Sequence, residues 1–441
     1  MTINDLSVRL QNKIGRVADK LAKETGFVQR QRKVSGSNFI QTLIFGWLIR
    51  PQASLTELLS SAHQRNLEIS AQGLDKRFKE ETVHFCQRLL EDMLLEVVVA
   101  KQGVKTELLE KFSQVRVIDT TVAALPEMFK VQWPGTSAGD GKSNKAALKV
   151  EASLELKQGT LQGTLLAGKT NDRKGALARA DLPVGSLQIA DLGYFSLQRM
   201  GQLDVSGVYW LSRLRQDTIV CDRQGRVWDL LEQLRQCDKT QQEFEVKLGH
   251  QHLNARLLAY RVPEEVAARR RDKLRRTYQK HSGTPTKRSL ELCSWTLLIT
   301  NAPADKLTME EAAALYGSRW QIELTFKLWK QHMKIDQSVS KNPWRILCEL
   351  YIKLMAALVQ HWIVQSSSCW QQLNKSLVKA YKVISSHAAC LSNAFDCLPT
   401  LTATLEKLDR SLFDICRQNS RKKKLNTWKK LAPNYRGAGL S

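Results

Sequence analysis

Val115-Arg-Val-Ile-Asp119-Thr-Thr121 reads as a short buried strand that ends in an acid. A carboxylate beside apolar neighbours is costly unless it is exposed or paired. Ser186 to Asp191 repeats the pattern, an apolar strand followed by an acid. Between the two, Lys149 to Leu156 alternates in the manner of a strand, and Leu161 to Leu166 follows as its hairpin partner. A helix over Ser196 to Leu203 and a strand over Val208 to Leu214 come next. Strands, then helix, then strand predict an α/β sheet with mixed pairing. Adjacent strand ends would bring Asp119 and Asp191 together at one sheet edge. Two close carboxylates repel, and a divalent cation relieves that repulsion. By pattern alone this is a weak signal, because acids at strand ends often only solvate loops.

The texture differs on either side. Residues 1 to about 105 read as helical. Ser54-Leu-Thr-Glu57 is a capping box that opens a short helix through Ser61. A turn over Arg65 to Ser70 leads to a longer helix from Ala71 towards Ala100, striped by Leu74, Phe78, Phe85, Leu89 and Leu90. The pair is either a helix-turn-helix with Gln72, Lys76 and Arg77 facing DNA or plain helical packing. Downstream, Asp217 to Cys221, Glu243 to Leu248 and Asn254 to Tyr260 read as hairpin strands. A basic segment from Arg269 to Lys280 follows, then a strand over Ser294 to Thr300. From Pro343 the chain reads as helical, with a late basic run at Arg421 to Lys424, Lys429 and Lys430.

Bulk properties narrow the class. The 441 residues exceed one ordinary core, and a net charge of +24 favours a polyanionic partner. The longest apolar stretch, Leu354 to Val364, is interrupted by Gln360 and His361 and is short of a membrane span. Nine cysteines without a CxxC pair fit a reducing cytosol and offer no zinc spacing.

One further helix, Glu310 to about Lys334, sharpens the chemistry. At 3.6 residues per turn, Leu315, Ile322, Phe326, Trp329 and Met333 share a face that should pack on the sheet. Tyr316, Arg319, Trp320, Glu323, Lys327 and Lys330 share the face beside it. One acid among cations and a phenol suits a phosphate-binding stripe around a metal ligand. An exposed basic face with an incidental Glu is the bland alternative.

Tyr316-x2-Arg319-x3-Glu323-x6-Lys330 resembles the Y-R-E-K signature of the bacterial DDE transposases of the fourth insertion-sequence family. Ile118-Asp119-Thr-Thr121 resembles that family's first acidic motif, and Ala190-Asp191-Leu-Gly-Tyr194 its second. The resemblance covers roughly residues 110 to 335. It implies a ribonuclease-H-like catalytic core interrupted by an inserted β-rich domain, flanked by helical regions. The expected division is 1–105 DNA-binding, 106–214 and 296–340 catalytic core, 215–295 insertion, and 341–441 basic and helical.

The resemblance also implies that Asp119, Asp191 and Glu323 hold two Mg²⁺ ions, with Mn²⁺ able to substitute, and that they catalyse DNA cleavage and strand transfer. Tyr316, Arg319 and Lys330 would hold phosphates near the scissile bond. A cut-and-paste route through a hairpin requires a flipped base. Trp320 stands where the family can place a stacking Trp. Trp295 suits either base stacking or the core. The implied partners are transposon-end and target DNA and a second copy of the chain, with no membrane. The implied location is the bacterial cytoplasm, on the nucleoid. The rival readings are a catalytically inactive DNA-binding relative and a nuclease of the same fold that only cuts.

Overall fold

The computed structural model describes residues 1–30, 34–137, 144–236, 239–280, 282–418 and 427–431. The run Arg421 to Lys424 lies outside the described residues.

The chain begins as helices: α1 (Ile3–Gln11), α2 (Ala18–Glu24), α3 (Gly36–Ile49), α4 (Leu55–Gln64), α5 (Ala71–Asp75), α6 (Glu80–Leu94) and the short α7 (Glu107–Glu110). Ser54 and Glu57 make both bonds of the expected capping box at the start of α4. The single helix expected from Ala71 towards Ala100 is instead α5, a break and α6, which ends at Leu94. Phe78 explains the break. Its ring turns inward to Phe39, with centroids 5.8 Å apart, and lies under the Arg345 guanidinium at 5.7 Å. A continuous helix would carry it elsewhere. Gln72 and Lys76 remain exposed, while Arg77 leans over Phe27.

Next come β1 (Val115–Leu125), β2 (Pro134–Ser137), β3 (Asn144–Glu155), β4 (Leu161–Ala167), α8 (Ala176–Arg179), β5 (Leu187–Ala190), α9 (Leu197–Val205) and β6 (Tyr209–Arg213). β1 runs antiparallel to β3 and parallel to β5, and β5 runs parallel to β6. β4 pairs with β3 as the expected hairpin. Alternation sorts β1 onto two faces. Val115 and Val117 enter the main core, whereas Ile118 joins Ala178, Ala190 and Tyr194 on the reverse face.

Residues 215–295 hold β7 (Val220–Cys221), α10 (Leu230–Arg235), β8 (Gln241–Leu248), β9 (Leu253–Arg261), α11 (Glu264–Gln279) and α12 (Lys287–Leu292). Then comes β10 (Trp295–Thr300), which pairs with β6 on one side and β9 on the other. The sheet is therefore continuous, in the order β2-β3-β1-β5-β6-β10-β9-β8-β7. The basic segment expected from Arg269 lies on α11, where Arg269, Lys273, Arg275 and Arg276 are exposed.

The helix expected over Glu310 to about Lys334 is two helices, α13 (Met309–Ser318) and α14 (Trp320–Gln331), jointed at Arg319. The joint is tight: Ile322 N–H donates back to the Arg319 carbonyl at 3.3 Å. The apolar stripe survives it, with Leu315, Ile322, Phe326, Trp329 and Met333 all buried.

α15 (Pro343–Ser366), α16 (Leu377–Ser386), α17 (Ala388–Ala394) and α18 (Leu398–Ile415) complete the helical body. The apolar stretch expected to be too short for a span belongs to a 24-residue helix that is long and apolar enough to cross a membrane. Instead, 94% of that apolar window is buried inside the protein. Its polar interruptions have partners. His361 Nε2 donates to the Gly159 carbonyl at 2.7 Å, and Gln365 to that of Gln158 at 2.9 Å, tying α15 to the β3–β4 turn. Gly159 itself has φ +73°, and a Cβ there would meet the Trp370 ring at 2.5 Å.

Candidate active site

The parallel register of β1 and β5 ends at the pair Ile118–Ala190, so Asp119 and Asp191 are the next residues on adjacent strands. Asp119 was expected at a strand end. β1 instead runs six residues further, because β3 pairs with it as far as Leu125. The strand end that matters is that of β5, where the chain turns away and leaves the β1 edge open at Asp119. Thr120 N–H donates to Asp119 Oδ1 at 2.8 Å. Asp191 caps a short turn through Tyr194 by accepting from Leu192 N–H at 2.7 Å.

Glu323 sits in the first turn of α14, which packs on β1. Arg319, at the helix joint, reaches between the acids. Its Nη1 lies 3.3 Å from Asp119 Oδ2 and its Nη2 pairs with Glu323. All three side chains are mostly buried, at 18%, 17% and 26% exposed for Arg319, Asp119 and Glu323. Lys330 donates to the Val122 carbonyl at 2.9 Å and so pins α14 along β1. The Tyr316 hydroxyl is buried without a hydrogen-bond partner among the described residues, and the Arg319 guanidinium lies 6.0 Å from its ring centroid.

The electrostatics record one crowded site. Burial pushes the Asp119 carboxyl up to about 6, opposed by the Thr120 N–H and Arg319 and reinforced by the nearby Asp191 and Glu323. Burial alone would lower the Arg319 guanidinium, yet Tyr316, Glu323, Asp191 and Asp119 raise it overall. Burial also raises the Tyr316 phenol. Among the described residues no three His, Cys, Asp or Glu side chains form a group that could chelate an ion. Arg319 occupies the position of the neutralising cation. The donor chemistry, hard carboxylate oxygens at one edge, nevertheless suits a divalent ion such as Mg²⁺.

A pH dependence follows from Asp119. Between its ordinary 3.8 and about 6, the folded chain keeps a proton there that the unfolded chain releases. Stability from this group therefore falls as pH rises through that window, by on the order of 2 to 3 kcal/mol. Asp119→Asn should flatten this slope and leave the metal-free protein at least as stable at pH 7. Urea denaturation at pH 4.5 and 7 checks it. An unchanged slope in the variant would remove Asp119 as the source.

The other expected residues divide. Trp320 is 44% exposed, with Lys327 Nζ 3.7 Å over its ring. Trp295 is only 8% exposed, packed in a second core under the Arg261 guanidinium. Two strands, β5 and β6, separate its strand from β1, so it does not join the acids. Sequence reading missed a carboxylate pair on the reverse face. Glu151, fully buried on β3, accepts from Leu177 and Ala178 N–H at 2.9 and 3.2 Å and so fixes α8. Asp172 pairs with Lys149 at 2.7 Å. An acid within the apolar alternation Lys149 to Leu156 was the available signal.

Comparison with known proteins gives the family. The model of the transposase DDE domain matches residues 110–359, which contain all three acids. The transposase for insertion sequence element IS231D of Bacillus thuringiensis subsp. finitimus is 30% identical over 92% of this chain and 89% of its own length. That for IS231B of subsp. berliner is 29% identical over the same shares. That for IS1151 of Clostridium perfringens is 26% identical over 79% of this chain and 78% of its own. The chain belongs to the DDE transposases of insertion sequences.

Proposed function

We propose that the chain excises and inserts its insertion sequence by metal-dependent cleavage of the element's ends and transfer of the freed strands to target DNA. The observation that carries this reading is the placing of Asp119 and Asp191 side by side on parallel strands, with Glu323 tied to Asp119 through Arg319. The antiparallel run β4-β3-β1 continued by parallel β5 and β6 supports a ribonuclease-H-like core. In this reading 106–214 and 296–340 form that core, 215–295 is an insertion that extends its sheet, and 1–105 and 341–441 are helical flanks that serve DNA binding.

Asp119, Asp191 and Glu323 would hold two Mg²⁺ ions, or Mn²⁺ in their place. Bound there, they would supply activation of a water and then of a DNA 3′-hydroxyl, and stabilisation of the leaving oxygen, for in-line displacement at phosphorus. The side chains around them do the rest. Arg319 offsets the charge of the acids in the metal-free chain and offers a planar fork to a strand phosphate in the working complex. Lys330 adds a point charge about two helical turns beyond Glu323. The Tyr316 hydroxyl, unpartnered and buried, is a donor for the same strand. The working form is a homodimer on two element ends, and α15, spent on the core, fits a chain that acts on DNA in the cytoplasm.

A hairpin route places a flipped base on Trp320, whose ring is the more accessible of the two candidates. Trp320→Ala should cost roughly 1 to 3 kcal/mol of that stacking, and Trp320→Phe should recover part of it. First-strand nicking should outlast hairpin formation in gel assays of the two steps. Equal loss at both would assign the indole to helix packing.

The experiment for the function as a whole is nicking of a duplex carrying the element's end. Mg²⁺ or Mn²⁺ should support it, and Ca²⁺ should support binding with little cleavage. Cleavage without joining would make the chain a nuclease. Binding without either would make it an inactive relative.

A further inference from the structure

On the reverse face of the sheet from α14, an open pocket of about 460 Å³ lies beside the Asp191 turn. Arg173, Lys174, Arg179 and Arg199 line it, and no acid does. Some arginines elsewhere on the surface are matched: Arg215 with Asp217, Arg226 with Asp222, Arg235 with Glu291. Here the Lys174 and Arg179 side chains make no ion pair among the described residues. Asp172 is already held by Lys149, and Asp181 lies close enough only to favour the charge on Arg199.

The pocket floor carries a second, independent signal. Tyr194 and Gln188 are each 7% exposed, yet the Tyr194 hydroxyl and Gln188 Oε1 have no hydrogen-bond partner among the described residues. Arg199 Nε is likewise buried and unpartnered, although its Nη2 donates to the Ala180 carbonyl at 2.6 Å. Buried polar atoms are costly when left unsatisfied. All three belong to residues that line the pocket. The Tyr194 hydroxyl and Arg199 Nε are donors for an anion with several acceptor oxygens, and Gln188 can rotate to offer its amide N–H. Glu151, Asp172 and Asp119 lie near the phenol on its other sides.

We propose that this pocket is a DNA phosphodiester subsite, taking a backbone phosphate on the side of the catalytic edge away from α14. It rests on the transposase reading. Asp191 caps the turn that ends at Tyr194, so a strand crossing the edge from Arg319 would pass from the acids into the pocket. The phosphate belongs either to the element's own end or to the target, and both present the same diester.

Two variants test it. Arg173→Ala/Lys174→Ala/Arg179→Ala removes three exposed cations with little risk to the fold. Tyr194→Phe removes only the hydroxyl and keeps both ring and charge. One arm measures binding of an element-end duplex by fluorescence anisotropy across KCl concentration. The other measures joining of pre-cut ends to an unrelated duplex across the same range. The triple variant should lower the slope of log K or log rate against log salt by roughly 1. Tyr194→Phe should weaken the same arm roughly 3- to 10-fold. A change in the first arm assigns the phosphate to the element, and a change confined to the second assigns it to the target. Wild-type slopes in both arms for the triple variant overturn the proposal. So does a silent Tyr194→Phe, because a diffuse cationic surface would not need the hydroxyl. A wild-type chain that binds no DNA sinks the transposase reading and the pocket with it. One that binds and nicks while the variants match it sinks the pocket alone.

Discussion

Asp119→Ala, Asp191→Ala and Glu323→Ala should each reduce DNA cleavage and joining by roughly three orders of magnitude or more, which is about 4 kcal/mol or more of barrier. A metal site missing one anchoring carboxylate loses both charge balance and geometry. End-DNA binding should persist, because the acids oppose phosphate when no metal is bound. The variants should differ in their metal-free stability. Asp119→Ala relieves a carboxyl held unfavourably by burial and by its neighbours. It also strips Arg319 of one partner while leaving Glu323 as the other. A near-neutral or slightly positive net effect follows. Nicking rate, anisotropy and urea denaturation on the same preparations separate the three consequences. Any single variant that cuts at the wild-type rate is not a ligand.

Glu349→Ala should destabilise the fold by roughly 3 to 5 kcal/mol, although residue 349 lies outside the catalytic edge. Glu349 is 2% exposed on α15, between Arg345 at 6% and Lys353 at 1%. Arg345 Nε donates to it at 3.0 Å, and Lys353 Nζ lies 3.7 Å from its other oxygen. Its removal leaves two cations buried without their shared anion. Lys353 also donates to the carbonyls of Lys334 and Gln337, at 3.3 and 2.8 Å, holding the segment that follows α14. Cleavage should therefore fall too, as the helix bearing Glu323 loses its anchor. Burial already lowers the Lys353 pKa, with Glu349 opposing. Without Glu349 the lysine sheds its proton more easily, so the stability lost should be smaller at pH 9 than at pH 6. Glu349→Gln keeps a hydrogen bond to Arg345 and should cost less. Destabilisation below about 1 kcal/mol would mean that water reaches these cations.

Much of this was legible in the residues. Periodicity located β1, β3, β4, β5, β6 and β10, because each buries at least one face and so shows its pattern. The wheel over Glu310 to Lys334 identified the buried stripe correctly. Where the sequence misled, tertiary partners decided. Nothing local marks the break at Phe78, whose reason is Phe39 and Arg345 far along the chain. Nothing local extends β1 past Asp119 except the partner strand β3. The joint at Arg319 falls within a good helical pattern, and its sense lies in the acids that the side chain meets. Trp295 shows the same limit. Strand position alone does not tell a core indole from a stacking one, and the Arg261 guanidinium and 8% exposure are facts of packing. Gln360 and His361 looked like interruptions because their acceptors, on the β3–β4 turn and α16, are remote in sequence.

The most direct test is to locate the metal. Crystals of the chain with element-end DNA and Mn²⁺, measured at the manganese absorption edge, show where the ions sit without reliance on activity. Anomalous peaks should lie between Asp119, Asp191 and Glu323, with the Arg319 guanidinium moved off Asp119 towards a DNA phosphate. Peaks elsewhere, or none beside these acids in a complex that cuts its DNA when Mn²⁺ is present, would contradict the assignment of the triad.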